Sequence, residues 1–171
     1  PSGTLPAGSV RRVTLPQDNP ARRAHIMTHF IGVDPGKKGA IALLDSEAMV
    51  VTVWDMPDTT AVLHDCVAAL PVVKSAMLEK PFYPQMIGVT NATKIAMAYG
   101  ILIGAFAWRD VPVTEVPPKK WKAAMDLSSS KSASREKAAL MFPDQSDLFK
   151  RAKDDGRAEA VLLAVYAMGR R

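Results

Sequence analysis

The spacing of hydrophobic positions changes along the chain. Between residues 28 and 54, three short runs of apolar and β-branched residues are separated by turns, which predicts three strands in an antiparallel meander. From residue 58 onward, runs with helical spacing alternate with two further apolar runs. This order predicts an α/β fold: a five-stranded mixed sheet, with three antiparallel strands followed by parallel strands, flanked by helices.

The boundaries of these elements follow from the apolar runs and from capping residues. The predicted strands cover 28–33, 39–45, 49–54, 75–80 and 111–116. The predicted helices cover 58–70, 90–108, 118–125, 134–142 and 155–169. Asp58 or Thr59 is expected to cap the first helix, and the second is expected to begin near Thr90 or Asn91, because such side chains accept hydrogen bonds from the first amides of a helix.

The second predicted helix carries a small residue at every fourth position. These residues form a small-residue ridge of Ala92, Ala96, Gly100 and Gly104. Each interior glycine costs about 1 kcal/mol relative to alanine, so the ridge needs a packing reason. Either the protein's own sheet or a second subunit approaches the helix closely there, and the sequence leaves both interpretations open.

The first 26 residues differ from the rest in composition. They are rich in Pro, Ser and Gly and hold four arginines against one aspartate. We interpret residues 1–26 as a flexible basic leader, either vector-derived or an organellar transit segment, and residues 27–171 as one domain. No apolar run is expected to cross a membrane, and the single Cys66 fits a reducing compartment. The cytoplasm is therefore the predicted location, with an organelle as the alternative.

A second basic stretch covers residues 117–137. It contains six lysines and arginines against two acidic residues. Such a concentration of positive charge suits a polyanionic partner such as nucleic acid. An ordinary solvated surface is the alternative interpretation.

Four acidic residues lie at the ends of apolar elements. Asp34 follows the first strand, Glu79 ends the fourth, and Asp155 and Glu159 lie four apart at the start of the last helix. That spacing places the last two on one helical face, where their charges repel unless a cation lies between them. Since Mg²⁺ takes oxygen ligands, a divalent metal site is the hypothesis. The alternatives are turn residues, surface ion pairs and helix caps, and Asp154 is the alternative to Asp155.

Five segments in the same order resemble the RuvC-type Holliday junction resolvases, a family with an RNase H-like fold. The segments are IGVDPGKKGAIAL, SAMLEKPF, VTEVPPKKWKAAM, SREKAALMFP and DDGRAEAVLLAVYA. The resemblance covers nearly all of residues 28–169. In the common bacterial pattern the last two acids lie three residues apart, and the corresponding position here is Gly156. In this chain the acid lies four residues before Glu159. That spacing resembles the phage-borne and organellar branches of the family.

The resemblance implies an endonuclease that resolves four-way DNA junctions by paired symmetric nicks. It implies a homodimer, with the small-residue ridge as its interface, and two Mg²⁺ or Mn²⁺ ions in each active site. The four acidic residues Asp34, Glu79, Asp155 and Glu159 would bind the ions. Lys122 would be the lysine closest to the chemistry.

The resemblance also implies how DNA is held. Phe82 would insert near the crossover and unstack a base pair, and Tyr83 would share or take that role. The alternative is an apolar loop that packs on the sheet. The remaining DNA-binding residues would be Lys37, Lys38, Lys119, Lys120, Lys131, Arg135 and Lys137.

Three other functions are alternatives for the same residues. An RNase H-like nuclease could act on another branched DNA or on an RNA–DNA hybrid, since a fold does not fix a substrate. A non-cleaving junction-binding protein would lack one of the four acids, and all four are present. An ATPase of the actin and sugar-kinase type would need two such domains, and this chain is long enough for one.

Overall fold

The computed structural model describes residues 29–84, 86–128, 130 and 132–170. The predicted leader and Lys131 lie outside the described residues. The strands are β1 (His29–Asp34), β2 (Ala40–Asp45), β3 (Val50–Asp55), β4 (Ser75–Glu79) and β5 (Val113–Val116). The α-helices are α1 (Thr60–Ala68), α2 (Val89–Trp108), α3 (Pro118–Ala124), α4 (Ala133–Met141) and α5 (Asp155–Gly169). Two 3₁₀ segments that the sequence did not predict cover Pro143–Phe149 and Ala152–Asp154.

The strands form the predicted five-stranded mixed sheet. Their order is β3-β2-β1-β4-β5. β1, β2 and β3 pair antiparallel, whereas β4 pairs parallel with both β1 and β5. Val33 lies opposite Leu78 in the β1–β4 ladder. The carboxyl ends of β1 and β4 therefore meet at one edge of the sheet, which brings Asp34 and Glu79 to neighbouring strand ends.

Helices cover both faces of the sheet. α5 lies across the first face and packs with buried residues such as Phe30, Met77 and Trp121. α1 and α2 cover the second face, where Ile31 and Phe106 belong to the core. α5 is buried along most of its length, which is the pattern expected of a helix that is apolar on nearly all sides.

The contact between α5 and the sheet depends on a glycine in β1. A Cβ atom on Gly32 would lie 2.0 Å from the Ala160 carbonyl oxygen and 2.3 Å from the Ala164 amide nitrogen. Both are backbone atoms of a buried helix and have little room to move. Gly32 thus allows the helix that carries two of the predicted site acids to sit directly on the strand that carries a third.

The predicted helix and strand starts are partly confirmed. Thr59 caps α1, with its hydroxyl accepting from the Val62 amide at 3.3 Å. α2 begins at Val89, one or two residues before the predicted start at Thr90 or Asn91. The backbone carbonyl of Gly88 accepts the first hydrogen bonds of the helix. β5 begins later than residue 111, since Pro112 has no amide proton to donate to a strand ladder.

The small-residue ridge on α2 does not pack on the sheet. Ala96, Gly100 and Gly104 are exposed, and no atom lies within 4 Å of a Cβ built on either glycine. The helix instead buries Leu102 and Phe106. The interpretation that the ridge packs against the protein's own sheet is therefore wrong for these three positions.

Helix α2 is also long and apolar. By length and composition it is the one helix among the described residues that could cross a membrane, and little of it is buried. Asn91 and Lys94 interrupt its apolar run, so the expectation that no apolar run crosses a membrane stays a prediction. Its exposed apolar residues include Val89, Met97 and Trp108, so this face of the molecule is suited to a partner surface.

Candidate metal centre and nucleic-acid interface

Asp34 lies where β1 turns towards β2. Its carboxylate oxygen Oδ1 accepts from the Gly36 amide at 3.0 Å, which fixes the side chain in the turn. Burial raises the pKa of Asp34 above its usual value, and the hydrogen bond from Gly36 opposes this. The negative charge of Glu159 raises the pKa further, and the positive charge of Lys122 lowers it. Asp34 is thus a rigid carboxylate in a site with excess negative charge.

Glu79 ends the neighbouring strand and meets α3. Its oxygen Oε2 accepts from the indole Nε1–H of Trp121 at 2.5 Å. Burial raises the pKa of Glu79 to about 7, against the lowering effect of the Trp121 hydrogen bond. The charges of Glu159 and Asp34 raise the same pKa, and Lys122 lowers it. Glu79, Asp34, Glu159 and Lys122 therefore form one electrostatic cluster.

The two acids on α5 have separate cationic partners. Lys122 Nζ lies 2.7 Å from Oε1 of Glu159, which also accepts from the Ser134 hydroxyl at 3.2 Å. Arg135 Nε lies 2.6 Å from Oδ1 of Asp155. Glu159 and Asp155 therefore each face a separate basic side chain, and their binding of a shared divalent cation stays a prediction.

Asp154 has a structural role. It is buried, and its carboxylate accepts from the backbone amide and the guanidinium of Arg151, with distances from 2.8 to 3.1 Å. The Arg151 hydrogen bond lowers the pKa of Asp154. This ion pair occupies Asp154 at the turn before α5, so Asp155 is the better candidate for the metal site.

The four-residue spacing between Asp155 and Glu159 has a steric reason. Gly156 packs against the β1–β2 turn, where a Cβ would lie 2.2 Å from the Lys38 carbonyl oxygen and 2.7 Å from Gly39 Cα. An acidic side chain three residues before Glu159 would collide with this backbone. The turn that follows Asp34 therefore requires glycine at 156, and the acid lies instead at the half-buried position 155.

The arrangement fits a divalent cation by the chemistry of its donors. The oxygen ligands that Mg²⁺ prefers are offered by Asp34 and Glu79, whose charges destabilise one another, with Glu159 beside them. Among the described residues, no group of three or more His, Cys, Asp or Glu side chains is close enough to form a metal-ligand cluster. Asp34, Glu79 and Glu159 therefore interact electrostatically at one edge of the sheet, but their carboxylates are not drawn together into a preformed ligand cluster.

A cleft leads away from these carboxylates. Its volume is about 710 Å³, and it runs from Asp34 and Glu79 along α1 and α2 to Phe82. Lys37 and Lys94 supply positive charge to its walls. The cleft is open and mostly apolar, and the two carboxylates lie at one end of it.

The residues predicted to bind DNA are mostly exposed around this edge. Phe82 is 76% exposed and does not pack on the sheet, contrary to the alternative of a packed loop, and Tyr83 is 43% exposed. The exposed lysines are Lys37, Lys38, Lys119 and Lys120, and Lys137 is half-buried. Arg135 is engaged with Asp155, so its DNA role stays a prediction.

Sequence reasoning missed two site residues. The first is Trp121, whose indole N–H donates to Glu79. Ser134 was not considered, and its hydroxyl contacts Glu159. Trp121 immediately precedes Lys122, which was the available signal; nothing in the pattern around Ser134 distinguished it from its serine-rich surroundings.

Comparison with known proteins supports the resemblance. No family model matches the chain. It is 35% identical over 88 residues to the crossover junction endodeoxyribonuclease RuvC of Christiangramia forsetii, a match that covers 49% of this chain and 44% of that protein. It is 32% identical over 72 residues to the chloroplastic Holliday junction resolvase MOC1 of Chlamydomonas reinhardtii, over 41% of this chain and 8% of that protein. The matches thus span less than half the length of these relatives.

The structure gives a longer match. Thermus thermophilus RuvC in complex with a Holliday junction substrate superimposes with a TM-score of 0.56 at 19% identity, over 83% of this chain and 96% of that one. The chain has the fold of RuvC. The RNase H-like fold predicted from the five motifs is confirmed, and so is the resemblance to RuvC-type resolvases. The metal-binding and DNA-binding roles of individual residues in this chain stay predictions.

Glu79→Gln should stabilise the protein in EDTA. The folded-state pKa of about 7 lies above the ordinary 4.5, so ionising Glu79 costs stability, increasingly from pH 4.5 to 7 and fully above 7. Glutamine keeps an oxygen for Trp121 and avoids that charge. Urea unfolding should show a gain of about 1–2 kcal/mol at pH 8, after discounting for solvent screening, and almost none at pH 4.5. An equal gain in the free energy of unfolding at both pH values would contradict the raised pKa of Glu79.

Proposed function

We propose that this chain is a metal-dependent endonuclease that resolves four-way DNA junctions by paired symmetric nicks. The observation that carries the proposal is the carboxylate cluster at the joined ends of β1 and β4, with α5 and Lys122 against it, in a chain with the RuvC fold. Its relatives are named as junction endonucleases, and the structural match is a RuvC bound to a junction. Water is the proposed nucleophile, and the products carry 5′-phosphates.

The chain's own groups divide into ion-binding and DNA-positioning residues. Asp34, Glu79, Asp155 and Glu159 would hold two Mg²⁺ or Mn²⁺ ions. When bound, such ions stabilise negative charge on the attacking and leaving oxygens of a phosphodiester. Lys122 neutralises Glu159 and adds positive charge next to the scissile phosphate.

The remaining basic residues fix the register of the DNA. Phosphate contacts position a duplex and carry little sequence information. The proposed phosphate-binding residues are Lys37, Lys38, Lys119, Lys120, Lys131, Arg135 and Lys137.

The experiment that tests the function compares substrates. A labelled four-way junction, a linear duplex of the same sequence and an RNA–DNA hybrid are incubated with the protein, with Mg²⁺ and with EDTA. The proposal predicts nicks in the junction alone and only with Mg²⁺. Cleavage of the hybrid instead would assign the protein to the ribonuclease alternative. Junction binding with no metal-dependent cleavage of any substrate would assign it to the non-cleaving alternative.

Phe82→Ala should impair junction opening without harming the fold. Phe82 is largely exposed, so its truncation leaves no core cavity. Stacking on an opened base is worth about 1–3 kcal/mol, so junction cleavage should fall roughly 5- to 150-fold. The fluorescence of 2-aminopurine at the crossover should also stay quenched. Met86→Ala is the matched control, since Met86 is 96% exposed in the same loop and has no aromatic ring. Equal losses in the two variants would contradict the proposed role.

A homodimer is the proposed assembly, with the small-residue ridge of α2 at its interface. The ridge is exposed and flanked by exposed apolar residues, and a two-fold symmetric substrate needs two active sites. Ala96→Arg should convert the dimer to a monomer in sedimentation velocity. Leu140→Arg, at an exposed position on α4, should leave the dimer intact. A wild-type monomer at micromolar concentration, or a dimeric Ala96→Arg variant, would contradict this interface.

Cellular location and domain boundaries stay predictions. The cytoplasm is expected, or an organelle if residues 1–26 act as a transit segment. The nuclease domain is expected to begin at residue 27.

A further inference from the structure

Trp121 is the largest fully buried side chain among the described residues. Its exposed fraction is 0%, and its one polar group, the indole Nε1–H, donates to Oε2 of Glu79 at 2.5 Å. A tryptophan side chain has no other donor and no acceptor, so this hydrogen bond satisfies it completely. No second described residue hydrogen-bonds to Glu79, which leaves its other oxygen, Oε1, available.

The neighbouring residue makes an equivalent contact on the other side of the site. Lys122 bonds to Glu159 at 2.7 Å. Two consecutive residues of the short helix α3 therefore hold two carboxylates that come from different elements, β4 and α5. Trp121 fixes α3 in the core, and its indole N–H contacts the strand-end acid directly.

We propose that Trp121 is a positioning residue for the metal centre: its N–H holds Oε2 of Glu79 and leaves Oε1 to bind the divalent cation. This inference rests on the proposed function, since it requires Glu79 to be a metal ligand. Groups that hydrogen-bond to a metal ligand orient it, and their loss typically weakens metal affinity about 10- to 100-fold. A tryptophan that only fills the core would have no such effect.

The direct test follows the indole protons by NMR. The chain has three tryptophans, Trp54, Trp108 and Trp121, so a ¹⁵N-labelled sample gives few indole signals to assign. On titration with Mg²⁺, the Trp121 indole signal should shift with the same apparent Kd that calorimetry gives for the metal. The Trp54 and Trp108 signals should stay in place, and Glu79→Gln should remove the Trp121 shift. A metal that binds by calorimetry without moving the Trp121 signal overturns the inference.

A substitution gives the second test. Trp121→Phe keeps an aromatic ring in the core and removes the donor, and we expect its Mg²⁺ Kd to rise about tenfold. Trp54→Phe is the control and should leave the Kd unchanged, because Trp54 is a half-buried tryptophan on β3, three strands away from β4. A folded Trp121→Phe protein with wild-type metal affinity overturns the inference. If the variant does not fold, the NMR titration still decides.

The inference and the proposed function fail in different ways. Wild-type protein that cleaves junctions with Mg²⁺ while the Trp121 signal is silent would keep the function and remove the role of Trp121. Wild-type protein that binds no Mg²⁺ in calorimetry and cleaves no junction would contradict both.

Discussion

Asp34→Asn should reduce junction cleavage at least about 10³-fold, which corresponds to about 4 kcal/mol of transition-state stabilisation. The reason is the removal of one negative oxygen ligand from the centre of the carboxylate cluster. Asparagine still offers its side-chain oxygen to the Gly36 amide, so the turn should be retained. Because burial already disfavours the Asp34 charge, the variant should be at least as stable as the wild type. Single-turnover cleavage and thermal unfolding measure the two effects.

Asp45 provides the matched control for Asp34. It also ends a strand and also accepts from turn amides, at 2.9 Å from Glu47 and 3.2 Å from Ala48. It lies at the opposite end of the β1–β2 ladder. Asp45→Asn should cleave at the wild-type rate, and Asp34→Asn should bind the junction at least as tightly as wild type. Residual cleavage within tenfold of wild type in Asp34→Asn would contradict its assignment as a metal ligand.

Gly32→Ala should cause a large loss of stability, because the added methyl group has no room in the core. The new Cβ would meet two backbone atoms of α5 and the Leu163 Cβ at 2.8 Å. Since neither β1 nor α5 can shift without opening the core, we expect a loss of about 3 kcal/mol or more. Urea unfolding measures it, against a total stability of about 5–15 kcal/mol for typical domains.

Gly169→Ala is the control for that substitution. Gly169 ends the same helix, and no atom lies near a Cβ built on it. Its replacement should change the free energy of unfolding by less than about 1 kcal/mol, in the stabilising direction. A Gly32→Ala protein as stable as Gly169→Ala would show that α5 does not sit on β1 as described.

The sequence predicted the elements that have a clear hydrophobic period. The strand ends that place Asp34 and Glu79 were predicted because β1 and β4 are short buried runs that stop at an acid. Their adjacency could not be read from either run alone; it follows from the parallel pairing of β4 with β1. The predicted fold included parallel strands after the antiparallel three, but it did not say which strand β4 lies beside.

Features that depend on backbone contacts between distant residues were not predictable. Nothing local marks Gly32 or Gly156 as sites of close approach, because each is defined by atoms more than a hundred residues away. The Trp121–Glu79 hydrogen bond likewise joins residues on two separate elements, β4 and α3. The two 3₁₀ segments before α5 were missed because their residues carry no helical period.

Charge alone also failed to separate binding residues from structural ones. Asp154 and Asp155 are equivalent acids by sequence. The structure separates them, because Arg151 holds Asp154 in the core and Asp155 faces Arg135 at the rim. The resemblance implied that Arg135 contacts DNA, and its ion pair with Asp155 shows that part of the positive charge of the basic stretch is neutralised within the protein.

The most direct test of the account uses a supercoiled plasmid that extrudes a cruciform. Two coordinated nicks across the four-way junction convert this plasmid to linear DNA, whereas independent nicks release nicked circles. In Mg²⁺, the account predicts linear product with ends that T4 ligase can seal, and none with Asp34→Asn. A plasmid that yields only nicked circles, or stays supercoiled while the protein binds the cruciform, would contradict the claim that this chain resolves junctions.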